Sequence, residues 1–310
     1  MIRWALLFLP LLLSALEFKV ANYNVENLFD VHSDGGEYEE YQPHNKHGWN
    51  EAMLQIKIAN IARVITDIDA DIIALEEVEN KAVLQRLNAA LGSHAYPYLF
   101  YPPKKPRVNI ETALLSRFPI ENTSTIVMKD QPRGIHRITL KIDHRSLDVY
   151  INHWPAQKEK EEERLIYATT LHNALLKEEG REYLLLGDFN SPYQMQKEWG
   201  LGFVTILNAG DHQSTLYNLW YDLPQTQRYS HSYGKQKATL DHIVIPKTLK
   251  DGKGIDYTDA SFAVFMRPYM VNEKNDPKRW QMSERGRGVH QGEGFSDHFP
   301  VTAIFHTSAD

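Results

Sequence analysis

The sequence predicts an α/β protein, and three observations support that fold class. Short apolar segments of strand length alternate with segments of helical periodicity, which is typical of sheets covered by helices. The apolar segments are 18–23, 72–75, 147–151, 183–186 and 242–245. Near 51–67 and 158–179, apolar side chains recur every three or four residues, so one face of each predicted helix packs on a sheet. Because no repeat or low-complexity linker divides the chain, we predict a single domain over residues 17–310.

Composition excludes some classes of function. The chain has 310 residues, with 42% hydrophobic and 24% charged content, which is enough for a large core. Its 34 Lys and Arg residues against 40 Asp and Glu residues leave a net charge of −6. Such a surface repels DNA as a whole, which argues against an architectural DNA binder but not against an enzyme with a local phosphate site. The absence of cysteine excludes disulfides, thiolate metal sites and a cysteine nucleophile.

The N-terminal segment has the layout of a secretory signal. Arg3 precedes an apolar run over 4–13, and the small residues Ser14 and Ala15 follow. The alternative is a membrane anchor, which needs about 20 apolar residues, whereas this run stops at Glu17. We therefore predict that residues 1–16 are a signal peptide and that the mature chain is periplasmic or secreted, without a membrane anchor.

Polar residues occur at the ends of the apolar segments, where an α/β sheet normally places its site. They lie in the segments ANYNVEN, DIIALEEVEN, YINHWPAQ, LLLGDFNS, ATLDHIVI and GFSDHFPV. The candidate residues are Asn24, Glu77, His153, Asp188, Asn190, Asp241, Asp297 and His298. Each motif alone is weak, because a Gly-Asp pair after a strand is more often a turn.

The order and context of these motifs resemble the endonuclease/exonuclease/phosphatase family, from Asn24 to His298. The resemblance implies a four-layer α/β sandwich in which two mixed β-sheets pack face to face with helices on the outside. It also implies a hydrolase that acts on phosphate esters. The residues within the motifs most resemble those of bacterial exported nuclease-like members.

The chemistry of phosphodiester cleavage explains why these residue types are needed. The reaction requires charge neutralisation on the phosphoryl oxygens and an activated water. Mg²⁺, or alternatively Mn²⁺, prefers carboxylate and amide oxygens, so Glu77, Asn24 and Asp297 form the predicted metal site. Asp188 then orients or deprotonates the water, helped by Asn190. The resemblance assigns the same roles.

Two histidines are predicted to donate to the phosphate oxygens, each held by a carboxylate that raises its pKa. The resemblance gives His298 the partner Asp241, and it gives His153 the partner Glu111 in NIETALLSRF. The alternative for Glu111 is an ordinary acid at a strand edge. Glu76 should point away from Glu77 by strand alternation, either supporting the site from behind or facing solvent.

Candidate substrate-binding residues are basic side chains that could contact a phosphate backbone: Arg137, Lys104, Lys105 and Arg107. The alternative is that they only make the surface soluble. Two long irregular stretches, 32–49 and 266–294, are candidates for substrate-facing loops.

The predicted substrate is nucleic acid, with DNA favoured over RNA, and a monomer without a stable protein partner is expected. One alternative is an exported sphingomyelinase-type or other small phosphoester hydrolase. A lipid-directed enzyme needs an exposed aromatic loop, for which Trp280 and Tyr269 are the candidates. The other alternative is a non-catalytic binding module, which the presence of every motif residue argues against.

Overall fold

The computed structural model describes residues 15–103, 105, 108–156, 159, 161–178, 180–193, 216–234 and 236–308. Residues 1–14 of the predicted signal peptide, together with Lys104 and Arg107, lie outside the described residues. Within that part of the chain, no helix is both long enough and apolar enough to cross a membrane.

Two large mixed sheets and one hairpin account for the strands. The first sheet contains β1 (Glu17–Leu28), β2 (Ile72–Val78), β3 (Tyr98–Phe100), β4 (Glu111–Ser116), β13 (Ile255–Tyr257), β14 (Ala263–Val264) and β15 (Val301–Thr307). The second contains β5 (Ile120–Ile126), β6 (Ile135–Ile142), β7 (Arg145–His153), β8 (Tyr183–Asp188), β9 (Leu216–Asn218) and β12 (Asp241–Pro246). The hairpin is formed by β10 (His231–Tyr233) and β11 (Gln236–Ala238).

The α-helices of the described residues are α1 (Glu51–Ile68), α2 (Lys81–Ala90), α3 (Glu161–Leu175) and the four-residue α4 (Ser283–Gly286). The first two begin at asparagines that cap them. Asn50 accepts a hydrogen bond from the Met53 N–H at 3.1 Å, and Asn80 accepts one from the Val83 N–H at 2.9 Å. Such caps satisfy donors that the first helical turn leaves free. Both predicted helices are present, as α1 and α3.

The core is divided into three layers of apolar side chains, which confirms the four-layer sandwich. The outer layers pack α1 and α2 on the first sheet and α3 on the second. The central layer lies between the sheets and contains Phe18, Val20, Ile72, Ala74, Ile138, Leu140, Val149, Leu184 and Ile243. Strand alternation sends even-numbered residues of β1, β2 and β6 into this central layer.

Strand register brings the functional residues to one end of the sandwich. β7 and β8 run parallel, and their last residues, His153 and Asp188, are register partners. β12 runs antiparallel and begins at the same end, so Asp241 lies opposite Asp188. In the first sheet, β1 and β2 are parallel, and β15 begins with Val301 opposite Asn22. Carboxyl ends of the parallel strands and beginnings of the antiparallel ones therefore share one edge.

Candidate active site

Asn24 connects the two sheets at this edge. Its Nδ2 donates to Glu77 Oε1 at 3.0 Å and to Asp188 Oδ2 at 3.1 Å. Its Oδ1 accepts the Glu26 N–H at 3.0 Å, which fixes the orientation of the amide. The amide therefore presents donors to the carboxylates, and its oxygen faces the backbone. The predicted role of Asn24 as a metal ligand does not agree with this arrangement, in which Asn24 holds Glu77 and Asp188 together.

A β-bulge brings Glu77 into the site. Glu77 has a φ of 66°, and the pairing of β2 with β4 shifts register between Leu75 and Val78. This left-handed residue breaks the alternation of the strand, which is a common use of bulges beside active sites. Glu77 Oε2 also accepts the Asn27 N–H at 2.9 Å.

Of the two expectations for Glu76, the structure agrees with a group that supports the site from behind. Glu76 does not face solvent: it is fully buried and accepts a hydrogen bond from Asn22 Nδ2 at 3.3 Å. Burial, followed by the charges of Asp241 and Asp188, raises its pKa well above the ordinary value. Glu76 is therefore a buried neighbour of Asp241 and Asp188, on the same side of the sheet as Asn24.

Asp188 lies at the centre of the site and is 2% exposed. Its Oδ1 accepts the Asn190 N–H at 2.8 Å, while Asn190 Nδ2 donates to the Trp154 carbonyl at 3.0 Å. Gly187 permits the close approach of β7, because a Cβ there would lie 2.0 Å from the Asn152 carbonyl oxygen. Burial raises the pKa of Asp188 to about 7, with Asp241 adding to the shift and His298 opposing it. A carboxylate with that pKa is suited to accept a proton at neutral pH.

His298 and Asp241 form the predicted pair. His298 Nδ1 lies 2.7 Å from Asp241 Oδ2, and both side chains are buried. Burial alone would lower the pKa of His298, but the charge and hydrogen bond of Asp241, with Asp188, hold it well above the ordinary value. The Nε2 edge lies 3.9 Å from Asp188 Oδ2. His298 is therefore a protonated donor beside the central carboxylate.

His153 enters the site from the end of β7, but without the predicted carboxylate partner. Its Nε2 lies 4.0 Å from Glu77 Oε1 and 3.9 Å from Asp188 Oδ2, and its buried Nδ1 has no hydrogen-bond partner among the described residues. Burial, followed by the positive charges of Arg133 and His298, lowers its pKa well below the ordinary value. His153 is thus a neutral imidazole, and the expectation of a raised pKa was wrong.

Glu111 contacts a different histidine. Its Oε2 lies 3.3 Å from His136 Nε2, and His136 Nδ1 lies 2.9 Å from Thr125 Oγ1. Both side chains are buried. The predicted pairing of Glu111 with His153 is therefore wrong. Alternation along β6 directs His136 toward the central layer, where it meets the carboxylate on β4.

This correction has a testable consequence. Glu111→Gln should leave kcat within about threefold of the wild-type value, while loss of the buried contact lowers the free energy of unfolding by about 1 kcal/mol. His153→Ala should instead lower kcat by at least about 10²-fold, because it removes a group at the reaction centre. Steady-state kinetics and urea unfolding of the two variants distinguish these effects. A hundredfold loss of kcat in Glu111→Gln would restore its predicted catalytic role.

Asp297 lies at the other side of the cleft with three cationic or titratable neighbours. Arg279 Nη2 is 3.7 Å from Asp297 Oδ2, and the nearest nitrogens of His231 and His298 are each 3.9 Å from its carboxylate. Burial opposes ionisation, but His298 and Arg279 hold the pKa of Asp297 below its ordinary value. His231, Asp297 and His298 together form a group whose ligand atoms lie within 4.8 Å of one another.

Several residues near the site were not foreseen from the sequence: Asn22, Glu26, Lys57, Arg133, His231 and Arg279. Of these, Lys57 could have been found from the sequence, because it adjoins the apolar face of the predicted helix, where a charged residue is unusual. It is fully buried in α1 and lies 4.9 Å from the centre of the Trp280 ring. Arg133 Nε donates to the His153 carbonyl at 3.1 Å and lines a cleft of about 650 Å³ with Glu77 and His153.

The basic residues that were predicted to bind substrate have different outcomes. Arg137 binds Asp148 at 2.6 Å and Glu178 at 3.0 Å, so it does not reach the cleft and its predicted substrate-binding role is wrong. Alternation on β6 turns it toward α3, opposite to His136. Lys105 is partly buried near Gly134, and Lys104 and Arg107 fall outside the described residues. Their predicted contact with substrate stays a prediction.

The comparisons with known proteins agree with this fold. The sequence model of the Endonuclease/Exonuclease/phosphatase family matches residues 19–307. The chain belongs to this family. No curated protein matches the chain.

Solved structures of low sequence identity share the fold. Truncated TDP2 from Caenorhabditis elegans is 15% identical with a TM-score of 0.59, covering 93% of this chain and 97% of that one. TDP2 from D. rerio complexed with a single-strand DNA product is 14% identical with a TM-score of 0.58, covering 94% and 99%. ANGEL2, a 2′,3′-cyclic phosphatase, is 15% identical with a TM-score of 0.60, covering 96% and 97%. Family membership supports a hydrolase that acts on phosphate esters.

Proposed function

We propose that the protein is an exported, divalent-metal-dependent phosphodiesterase that hydrolyses nucleic acid, DNA more readily than RNA, by attack of an activated water on phosphorus. The observation that carries this proposal is the placement of Asp188. Its buried Oδ2 accepts a hydrogen bond from Asn24 and lies 3.9 Å from both His153 Nε2 and His298 Nε2. One base beside two imidazole donors suits water attack on a phosphodiester, which needs a proton acceptor and donors to the phosphoryl oxygens.

The donor set fits a hard divalent cation. Burial, followed by the charge of Asp297, raises the pKa of Glu77, so the two carboxylates repel each other across the cleft. Oxygen ligands of this kind suit Mg²⁺ or Mn²⁺. Glu77 and Asp297 would hold the ion, and when bound it would neutralise charge on the phosphoryl oxygens.

The chain's own residues have separate roles in this scheme. Asp188 accepts the proton of the attacking water, and Asn24 and the Asn190 N–H keep its carboxylate oriented. His298, protonated through its contact with Asp241, donates a hydrogen bond to a phosphoryl oxygen. His153 is neutral and donates through Nε2 to a second oxygen. These donors are fixed before the substrate arrives, which favours the charge that develops during the reaction.

Chelation tests the metal requirement. Treatment with a chelator should abolish hydrolysis of plasmid and single-stranded DNA, and Mg²⁺ or Mn²⁺ should restore it better than Zn²⁺, because the proposed ligands are oxygens. Glu77→Gln should weaken the response to Mg²⁺ at least about tenfold. The matched control is Glu182→Gln, whose carboxylate accepts the Ile255 N–H outside the site. Full activity in the presence of chelator would contradict the proposal.

The two aromatic residues that the sphingomyelinase-type alternative would use to contact a membrane are held by contacts within the protein. Trp280 is 3% exposed and donates its indole N–H to His290, and Tyr269 packs against Phe295 and donates its hydroxyl proton to Asp67. Neither of these two side chains provides the exposed aromatic contact that was predicted for them. We keep nucleic acid as the proposed substrate, and D. rerio TDP2 was solved with a single-strand DNA product.

A further inference from the structure

A groove of about 840 Å³ lies beside the catalytic centre, between the hairpin β10–β11 and the loop 266–294. Its lining includes Tyr233, Asn272, Lys274, Arg279 and Gln281. Ser232 Oγ donates to Asp276 Oδ1 at 2.8 Å, which joins the two walls. The volume is within the range of sites that hold small organic ligands.

The groove continues directly from the active site. His231, at the base of the hairpin, forms a β-bridge with His298, and their ring centroids are 4.7 Å apart. Strand residues two apart share a face and are separated by about 7 Å. Tyr233 therefore follows His231 on the same face of the hairpin, one step further from the reacting phosphate.

Tyr233 is an exposed aromatic residue at the tip of the hairpin. It is 74% exposed, and Gly234 provides the positive φ of 64° at which the chain turns. Tight hairpin turns favour such residues, and Tyr233 is the last strand residue before this one. Exposed aromatic rings beside a nucleic-acid site bind bases by stacking, which requires bases that are free of a duplex.

Arg279 supplies a positioned cation on the facing wall. Its Nε and Nη2 donate to Glu26 Oε1 at 3.0 and 2.6 Å, and its side chain is nevertheless 54% exposed. Glu26 Oε2 accepts the Trp280 N–H at 2.8 Å, and buried Lys57 also interacts electrostatically with Glu26. Asp297 also lies 3.7 Å from Arg279 Nη2, so two carboxylates position the guanidinium while half of its side chain stays open to the groove. The guanidinium keeps charge and N–H donors for a phosphate.

We infer that this groove binds the nucleotide next to the scissile phosphate of a single-stranded nucleic acid, with Tyr233 stacked on its base and Arg279 bound to its phosphate. The inference rests on the proposed function and adds a substrate class to it, a strand whose bases are unpaired. The groove borders Asp297 through Arg279, whereas the cleft lined by Arg133 borders Glu77 and His153, so substrate can extend from the cleaved bond into either one.

Fluorescence anisotropy of a labelled ten-nucleotide DNA strand, measured with chelator present, tests this site without hydrolysis. Tyr233→Ala should weaken binding at least about fivefold, the lower end of the contribution of base stacking, and Tyr233→Phe should retain wild-type affinity. Arg279→Gln should lower the slope of log Kd against log salt by about 0.7, the value expected for one phosphate contact on a single strand. Arg279→Lys should restore that slope. The matching duplex should be affected less than twofold.

Tyr98→Ala and Arg285→Gln are matched controls on exposed residues outside the groove, and both should bind as the wild type does. Thermal unfolding shows whether Arg279→Gln remains folded; if it does not, Tyr233→Ala and Arg279→Lys carry the test. The inference is overturned if the wild type does not bind the strand, if Tyr233→Ala binds it within twofold of wild type, or if duplex binding falls equally. It is also overturned if Tyr233→Ala loses only binding to sphingomyelin vesicles, which would assign the hairpin to a membrane. Failure of hydrolysis with every phosphodiester would instead refute the proposed function and leave these binding measurements interpretable.

Discussion

Replacing Asp188 by asparagine should lower kcat for phosphodiester hydrolysis about 10³-fold, within the range expected for loss of a general base. Asparagine has nearly the same shape and can accept the Asn190 N–H, but it cannot take a proton from water. KM should change less than about threefold, because Asp188 is not proposed to bind the substrate. Steady-state kinetics with a chromogenic phosphodiester, at fixed Mg²⁺, measures both parameters.

Asp148→Asn is the matched control for this substitution. Asp148 is also a buried aspartate of the second sheet, but it binds Arg137 and Thr139 away from the cleft. Its replacement should lower stability and leave kcat nearly unchanged. Equal losses of kcat in the two variants would show that Asp188 acts only through the fold.

Asp241→Asn should lower kcat by about 10²- to 10³-fold, because the carboxylate keeps His298 oriented and protonated. The free energy of unfolding should change little by comparison, since asparagine can still accept from the histidine ring. A fall in kcat with an unchanged KM identifies a positioning role, whereas a rise in KM alone would contradict it.

Asp222→Asn provides the control for that variant. Asp222 accepts hydrogen bonds from the hydroxyls of Tyr217 and Tyr257, both at 2.5 Å, and contacts no residue of the site. We expect Asp222→Asn to affect unfolding and not turnover.

The sequence predicted the fold class and those site residues whose position follows from strand direction. His153, Asp188, Asp241 and His298 come together because strand ends and strand beginnings share one edge of the sandwich. Strand ends can be read from apolar runs followed by polar residues. The Asp241–His298 pair was likewise correct, since the resemblance assigns these two residues to each other.

The remaining contacts depend on local backbone geometry that the sequence does not reveal. Glu77 reaches the cleft through a left-handed conformation, whereas its neighbour Glu76 is fully buried. Glu111 binds His136 because β4 and β6 face each other across the central layer. The two strands belong to different sheets, so strand pairing does not reveal this contact. Arg279 reaches the site from an irregular loop that lacks any periodic pattern. Arguments from alternation fail at each of these points.

The central claim is that water attacks phosphorus in the site around Asp188. Hydrolysis of a DNA oligonucleotide in ¹⁸O-labelled water, followed by mass spectrometry of both product ends, tests it most directly. We predict one ¹⁸O atom in the product phosphate and none in the sugar hydroxyl, with the labelling rate lost in Asp188→Asn. Label in the sugar hydroxyl, or incorporation at the wild-type rate in Asp188→Asn, would contradict the account.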